Sequence, residues 1–145
     1  MAISSAICNS FKQELLVGTH NFTASSGNSF KLALYTSSAS LGASTTAYST
    51  SNEISNTSGS AYTAGGKALT SVTPVLDGST AVCDFGDISF TSASFTANGC
   101  LIYNDTQSDK AVAVVAFGGD KTVTSGTFTI QFPTPDASNA IIRLA

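Results

Sequence analysis

Few side chains in this chain could do chemistry, and their spacing favours none of the common catalytic arrangements. His20 is the single histidine among 145 residues, and it follows Gly18 and Thr19. A lone histidine at such a position is most often solvated or a capping residue. Serines are abundant enough to complete a Ser-His-Asp triad on paper, but the G-x-S-x-G nucleophile elbow is absent. We therefore expect His20 not to be catalytic.

Carboxylates provide the second candidate site. Asp84 and Asp87 could bind a cation or act as an acid and base pair. Residues three apart face opposite sides of an ideal strand, so a solvated bulge is the better interpretation. Asp105, Asp109 and Asp120 fall at expected turns, where aspartate bonds its own backbone. No D-x-D-x-D-G calcium loop is present, and the sequence predicts no metal, no cofactor and no enzyme activity.

Three cysteines, Cys8, Cys83 and Cys100, make an odd number without C-x-x-C spacing. We expect buried free thiols; a Cys83–Cys100 disulfide is the alternative, which a reducing compartment disfavours. The sequons beginning at Asn21, Asn56 and Asn104 are interpreted as by-products of a Ser/Thr-rich composition.

The composition indicates a folded chain with an unusual surface. Hydrophobic residues make up 42% and charged residues only 10%, while 23 serines and 19 threonines supply the remaining polarity. A surface with few charges repels its neighbours weakly, which suits a protein of an assembly. The net charge is −3 and the six cations are scattered, so nucleic-acid binding is not expected. No apolar run reaches the roughly 20 residues of a membrane span, and no signal peptide is recognisable, which predicts synthesis in a cytoplasm.

The patterning predicts a mainly β protein: one antiparallel β-sandwich or jelly-roll-like domain over 1–145, with a short N-terminal helix and a long loop. Four residues at i+4 spacing, Ile3, Ile7, Phe11 and Leu15, predict a helix over 3–17. Ser4 or Ser5 would cap it and Gly18 would stop it. Its apolar face would cover the sheet of the same chain or contact a neighbouring subunit.

The other segments read as strands separated by turn signals. The predicted strands are 30–36, 68–76, 80–90, 97–104, 111–118, 126–132 and 140–145. The Ser/Thr-rich tract 37–60 is far longer than an ordinary connection. We interpret it as an adaptable arm that could embrace a neighbour through Leu41, Tyr48 and Ile54.

Local signals refine this outline. Asp77-Gly78 predicts a tight hairpin, and Pro74 predicts an edge strand or a bulge. Gly118-Gly119-Asp120 predicts a turn between two strands. Gly65-Gly66 predicts a turn in which at least one glycine has positive φ, with Tyr62 packed at the base of the arm.

Several short motifs occur in a fixed order along the chain. They are Phe30-Lys31-Leu32-Ala33-Leu34-Tyr35, Asn52-Glu53-Ile54, Tyr62-Thr63-Ala64-Gly65-Gly66, Ala97-Asn98-Gly99-Cys100-Leu101-Ile102-Tyr103-Asn104, Phe117-Gly118-Gly119-Asp120-Lys121-Thr122 and Gly126-Thr127-Phe128-Thr129-Ile130. In this order they resemble a family of small tailed-bacteriophage virion proteins. One departure is Asn98, where relatives often carry arginine.

The resemblance implies a non-enzymatic structural protein of the virion. Small size, a compact β-domain and the lack of a long fibrous repeat favour a capsid decoration (cement) protein on the head surface. Its partners would be the major capsid protein and copies of itself, as a homotrimer, without nucleic acid or membrane. The contacts are expected at eight residues: Ile3, Ile7, Phe11, Leu15, Leu41, Tyr48, Ile54 and Tyr62.

Two alternatives stay open. A tail, neck or fibre component with a receptor- or glycan-binding role would use the hydroxyl-rich surface and the tyrosines Tyr35, Tyr48, Tyr62 and Tyr103, although no tryptophan is present for sugar stacking. A hydrolase on a β-sandwich would depend on His20.

Overall fold

An extended N-terminal segment and a short helix open the chain in the computed structural model, which describes residues 2–55 and 59–145. The segment contains β1 (Ala6–Ile7), and the helix is α1 (Asn9–Leu16). The predicted helix over 3–17 is therefore too long at its start. Ile7 pairs with Ala113 and Ile3 forms a bridge with Leu41, because β-branched side chains suit an edge strand.

Helix α1 has an uncapped start and a well-defined end. The predicted caps Ser4 and Ser5 precede the helix, and Cys8 occupies the N-cap position without a side-chain hydrogen bond to the helix amides. At the other end Gly18 has φ 78°. The amides of Gly18 and Thr19 donate to the carbonyls of Leu15 and Glu14, which is a Schellman motif. The prediction that Gly18 stops the helix is confirmed.

Seven further strands follow within the described residues. They are β2 (Phe30–Tyr35), β3 (Lys67–Ala68), β4 (Ser71–Asp77), β5 (Thr80–Phe85), β6 (Ile88–Asn104), β7 (Lys110–Ile130) and β8 (Ile142–Leu144). One sheet has the order β1-β7-β6-β2-β3 and the other β4-β5-β8, and all pairings are antiparallel. The predicted fold class is confirmed: the described part of the chain is mainly β with one short helix near the N-terminus, and its two sheets are compatible with a sandwich.

The largest difference from the predicted strands is in β7. The segment 111–118 and the first five residues of 126–132 belong to one strand of 21 residues, which pairs with the 17 residues of β6. The predicted turn at Gly118-Gly119-Asp120 is wrong. Gly99 pairs with Ala116 and Ala97 with Lys121, so residues 117–120 form a bulge opposite Asn98. Positive φ at both glycines accommodates the extra residues.

Two other predicted strands divide. The prediction 68–76 includes the second residue of β3 and most of β4, and the prediction 80–90 is interrupted between β5 and β6. The hairpin at Asp77-Gly78 is confirmed, because Asp77 pairs with Thr80 and Gly78 has φ 65°. Strand β4 is an edge strand, and its register shifts between Val72 and Val75, around Pro74, as predicted.

Buried aromatic rings connect the two sheets. Phe30 of β2 lies 5.8 Å from Phe85 of β5 between ring centroids, and Phe22 stacks on Phe30 at 4.3 Å. The aliphatic core lies in the central strands, where Leu32, Leu101 and Val112 have no exposed surface. Such nearly continuous apolar runs are typical of strands covered on both faces.

The described part of the tract 37–60 is folded against the chain's own sheet. Tyr35 forms a bridge with Glu53, Ala47 forms one with Lys110, and the Ile54 amide donates to the Leu34 carbonyl. In this structure the tract is therefore not a free arm, because its backbone groups are paired with β2 and with the start of β7. No helix within residues 2–55 and 59–145 is long and apolar enough to cross a membrane.

Candidate functional site

The carboxylate of Glu53 joins the loop tract to the Gly65-Gly66 turn. Its Oε1 accepts hydrogen bonds from the Tyr62 hydroxyl at 2.6 Å and from the Gly65 amide at 2.7 Å. Its Oε2 accepts from the Tyr48 hydroxyl at 2.7 Å. We call these four residues the Glu53 latch. It gives the Asn-Glu and Tyr-Thr-Ala-Gly-Gly motifs a structural role, because each motif binds the other.

The other two tyrosines, Tyr35 and Tyr103, donate hydrogen bonds to backbone carbonyls of the loop tract and of the Gly65-Gly66 turn. The Tyr103 hydroxyl donates to the Gly65 carbonyl at 2.6 Å, and its ring stacks on Tyr48 at 4.7 Å. The Tyr35 hydroxyl donates to the Ser49 carbonyl at 2.7 Å. Burial is the main reason that the pKa of all four hydroxyls is raised, so they remain donors. Tyr35, Tyr62 and Tyr103 are buried in the core, so these three side chains are not available to contact a glycan, contrary to the alternative drawn from the sequence.

Both turn glycines have the predicted left-handed backbone. Gly65 has φ 93° and Gly66 has φ 83°. At Gly66 an added Cβ would lie 1.9 Å from the Leu32 carbonyl oxygen, so only glycine lets the turn approach β2 so closely. The prediction for Tyr62 is also confirmed. Its hydroxyl accepts from the Leu34 amide at 2.9 Å while donating to Glu53, at the point where the tract meets the sheet.

A second buried polar network surrounds His20. The ring has no solvent-exposed surface; Nε2 lies 3.1 Å from Glu14 Oε1, and Nδ1 lies 3.0 Å from Asn104 Nδ2. Since the Asn104 amide nitrogen can only donate, Nδ1 accepts and Nε2–H donates to Glu14. The expectation of a solvated or capping histidine is wrong. Both ring nitrogens are occupied by the protein, which leaves His20 without a nitrogen for a nucleophile.

Glu14 completes this network on its other oxygen. Its Oε2 lies 3.0 Å from Lys110 Nζ, and hydrogen bonds from His20 and Lys110 outweigh burial and lower the pKa of the carboxyl. Asn104 also donates to Asn28 Oδ1 and accepts from the amides of the following turn. The network therefore ties α1, β6 and β7 together. Asn104 is fully buried, which excludes its sequon from modification in the folded chain.

Asp84 does not form the expected solvated bulge. It is 1% exposed, and burial is the main reason that the pKa of its carboxyl is raised. Oδ1 accepts from the Phe85 amide, while Oδ2 has no hydrogen-bond partner among the described residues. Asp87 is exposed and instead accepts from the Phe132 amide. The described residues contain no group of three His, Cys, Asp or Glu side chains placed to hold a metal ion.

The cysteines are free and buried, as expected. Burial raises the pKa of Cys8 to about 11 and the pKa of Cys83 and Cys100 to about 12. Thiols of this kind are inert towards nucleophilic chemistry at neutral pH. The Cys83–Cys100 disulfide is not formed.

One apolar groove opens at the side of the sandwich where both sheets end. We call it the α1–β8 groove; its volume is about 630 Å³. It is bounded by β1 of the five-stranded sheet, by α1, and by β8 of the three-stranded sheet. Its apolar lining consists of Ile7, Phe11, Leu15, Leu16, Ala137, Ile141, Ile142, Leu144 and Ala145.

Large apolar side chains remain in solvent around this groove. Leu16 is 88% exposed and Leu144 57%. Leu76 is 73% exposed, and the pairing of Leu76 with Ala81 and of Ala81 with Leu144 aligns it with Leu144 on one face of the smaller sheet. An exposed apolar cluster of this kind is typical of an interaction surface. This groove is the candidate functional site.

The eight residues expected to contact a partner divide into two groups. Phe11, Ile54 and Tyr62 are buried in the chain's own core, and their contact with a partner stays a prediction. The half-buried members are Ile3, Ile7, Leu15, Leu41 and Tyr48. Of these, Ile7 and Leu15 line the groove, and their contact with a partner stays a prediction.

The sequence patterns indicate neither the exposed leucines at the α1–β8 groove nor the role of Glu53 in the latch. Leu16 flanks the apolar face of the predicted helix and Leu144 lies in the predicted strand 140–145. No sequence pattern indicates their proximity, because the end of α1 and strand β8 lie near each other only in the fold. Glu53 lies in the motif Asn52-Glu53-Ile54, whose sequence indicates no role for the carboxylate. Its partners lie between 5 and 12 residues away in sequence, and no local pattern indicates their convergence.

Comparison of the chain with protein-family models, with curated proteins and with solved structures finds no match.

Proposed function

We propose that the protein is a non-enzymatic structural component of a bacteriophage virion and acts as a capsid decoration (cement) protein. Its partners would be the outer surface of the major capsid protein shell and further copies of itself, arranged as a homotrimer. It would be synthesised in the host cytoplasm and add to the stability of the assembled head. The proposal is based on the resemblance of the ordered motifs to small tailed-bacteriophage virion proteins.

The observation that carries the proposal is the exposed apolar cluster beside the α1–β8 groove. Leu16, Leu76 and Leu144 expose more than half of their surface in a chain whose surface is otherwise rich in hydroxyl groups. Leaving such side chains in water forgoes their burial free energy, about 1.5–3 kcal/mol for a fully buried leucine. A protein that works while bound to a shell recovers this free energy on assembly.

A cement role also follows physically from binding to the assembled state. A protein that binds the closed shell and not its dissociated subunits stabilises the shell by mass action. The His20 network connects segments far apart in sequence, and the Glu53 latch fastens the loop tract to the Gly65-Gly66 turn. Both sets of polar contacts hold the chain in one conformation, which suits a protein that binds a shell.

Quantitative mass spectrometry of purified particles is the decisive test. A cement protein is expected in hundreds of copies per virion, and particles lacking it should release their genome at lower temperature. A few copies per virion would favour the tail, neck or fibre alternative. Absence from the particle would overturn the virion role altogether.

A further inference from the structure

We propose that the α1–β8 groove binds an extended segment of a partner protein by strand addition to β8. The segment carries apolar side chains on the face turned towards the groove and at least one carboxylate. This inference deepens the proposed function, because it names the chemistry of the segment that such a partner must present.

The first argument is the free edge of β8. The sheet order β4-β5-β8 leaves one side of Ile142–Leu144 without a strand partner among the described residues. A free edge presents unpaired amide and carbonyl groups, and an extended peptide can complete their hydrogen bonds. Strand β4, at the opposite edge, carries a bulge around Pro74, and both features obstruct pairing there. Strand β8 has neither feature.

The second argument is the apolar character of the floor and walls. Ile7, Leu15 and Ile141 line the groove next to the β8 edge. A strand that pairs with β8 places alternate side chains on each face of the sheet, so every second residue would enter the space beneath α1. The volume of about 630 Å³ is enough for several aliphatic side chains.

The third argument is charge. The groove is lined by Lys12 and Arg143, two of only six cationic side chains in a chain of net charge −3. Among the described residues that line it there is no aspartate or glutamate. Lys12 belongs to helix α1 and Arg143 to strand β8, the two elements between which the groove lies, and the Arg143 guanidinium also donates to the Ala137 carbonyl at 3.3 Å. Charge complementarity therefore favours a segment that carries a carboxylate.

Two blocked synthetic octapeptides test the proposal on the purified full chain. One alternates valine with glutamate, and the other alternates valine with lysine. Titration followed by ¹H–¹⁵N NMR should shift the amides of Arg143, Leu144 and α1 with the glutamate peptide. The lysine peptide should bind about three- to tenfold more weakly, the range expected for two partly exposed ion pairs. A glutamate peptide with alternate amides N-methylated, so that it cannot donate to β8, should lose binding.

Matched variants localise the effect. Leu144→Glu should abolish binding of the glutamate peptide. Val75→Glu likewise replaces an exposed aliphatic side chain by a carboxylate, but on β4, and should leave binding unchanged. The double variant Lys12→Gln, Arg143→Gln should remove the preference for glutamate over lysine. Absence of binding, equal affinity for the two peptides, or full binding of the N-methylated peptide would each overturn the proposal.

Analytical ultracentrifugation tests the main competing occupant. Concentration-dependent self-association that Leu144→Glu removes and Val75→Glu keeps would show that a second copy covers the groove, which would overturn the proposal. The outcome is separate from that of the virion role. If the protein binds the peptide but is absent from particles, the proposal for the groove stands and the cement function is rejected. If the protein is abundant on particles but does not bind the peptide, the cement function stands and the proposal for the groove is rejected.

Discussion

The Tyr62 hydroxyl donates a 2.6 Å hydrogen bond to Glu53 Oε1 and accepts a 2.9 Å bond from the Leu34 amide. One phenol thus connects the loop tract, the Gly65-Gly66 turn and the central strand β2. The two motifs that flank residues 56–58 therefore depend on each other, since Glu53 is the acceptor for the Tyr62 hydroxyl and Tyr62 is one of the three donors to Glu53.

Removing this hydroxyl should cost stability. Tyr62→Phe leaves a carboxylate oxygen and a buried amide each short of a partner, and we expect a loss of about 1–3 kcal/mol in the free energy of unfolding. Tyr48→Phe removes a single bond to Glu53 at a half-buried position and should cost less, about 0.5–1.5 kcal/mol. Urea denaturation of both variants provides the comparison. Equal losses would mean that the bond to Leu34 adds nothing.

Alanine substitutions separate the two reasons why a turn position requires glycine: a left-handed backbone, and too little space for a Cβ atom. Gly78 has space around it, so Gly78→Ala should cost only the left-handed backbone penalty, about 1–2 kcal/mol. Gly66→Ala adds a contact of 1.9 Å with a backbone oxygen of Leu32 and should cost at least about 3 kcal/mol or prevent folding. Thermal and urea unfolding measure both. A Gly66→Ala protein as stable as Gly78→Ala would show that the turn can move away from β2.

Glu14 makes the protein sensitive to acid. Because its pKa in the folded chain is below the unfolded value of about 4.3, its stabilising contribution is complete above that value. The contribution is lost as the pH falls through the folded pKa. Lys110→Met should reduce stability at pH 7 by less than about 1 kcal/mol. It should also flatten the loss of stability below about pH 4.5.

Urea unfolding at a series of pH values from 2.5 to 7 tests this expectation. Lys121→Met is the matched control, since Lys121 lies on an exposed part of β7. The same pH profile for both lysine variants would contradict a role for the Lys110–Glu14 contact.

Asp84 should make the protein less stable as the pH rises, the opposite of the effect of Glu14. Its folded pKa is above the unfolded value of about 3.9, so its contribution is complete below about pH 4 and is lost as the pH rises through the folded pKa. Asp84→Asn keeps an oxygen for the Phe85 amide and carries no charge. Its free energy of unfolding relative to the wild type should therefore increase between pH 4 and pH 7.

Asp87→Asn serves as the control for this measurement, because Asp87 is exposed and is a smaller cause of the shift at Asp84. A difference between Asp84→Asn and the wild type that stays constant with pH would show that the buried carboxyl does not titrate in this range.

The sequence predicted the elements better than their connections. Asp77-Gly78 and Gly65-Gly66 were interpreted correctly, because a turn that needs positive φ depends on local residues. Ile3 and Ile7 misled the helix prediction for a simple geometric reason. A spacing of four fits one face of a helix and also one face of a strand, and only the partner β7 decides between them.

The other failures are non-local. Gly118-Gly119 fits a turn or a bulge equally well, and the continuous pairing with β6 selects the bulge. His20 seemed solvated because its neighbours in sequence are polar or small, whereas Phe11, Phe22 and Phe30 surround the ring in the fold. The α1–β8 groove brings together both ends of the sequence, so no pattern within either end could indicate it.

The long β6–β7 hairpin has a consequence for the order of folding. Its two strands are joined by a turn at residues 105–109, so their pairing closes a short loop and can extend outwards step by step. Pairing of β2 with β6 instead requires residues 30–35 to find residues 99–104 across most of the tract and the smaller sheet. We expect the hairpin to form first and to provide the template on which β2 and then the N-terminal strand assemble. Pulsed hydrogen exchange during refolding would show amides 111–114 protected before amides 30–35, and simultaneous protection would contradict this order.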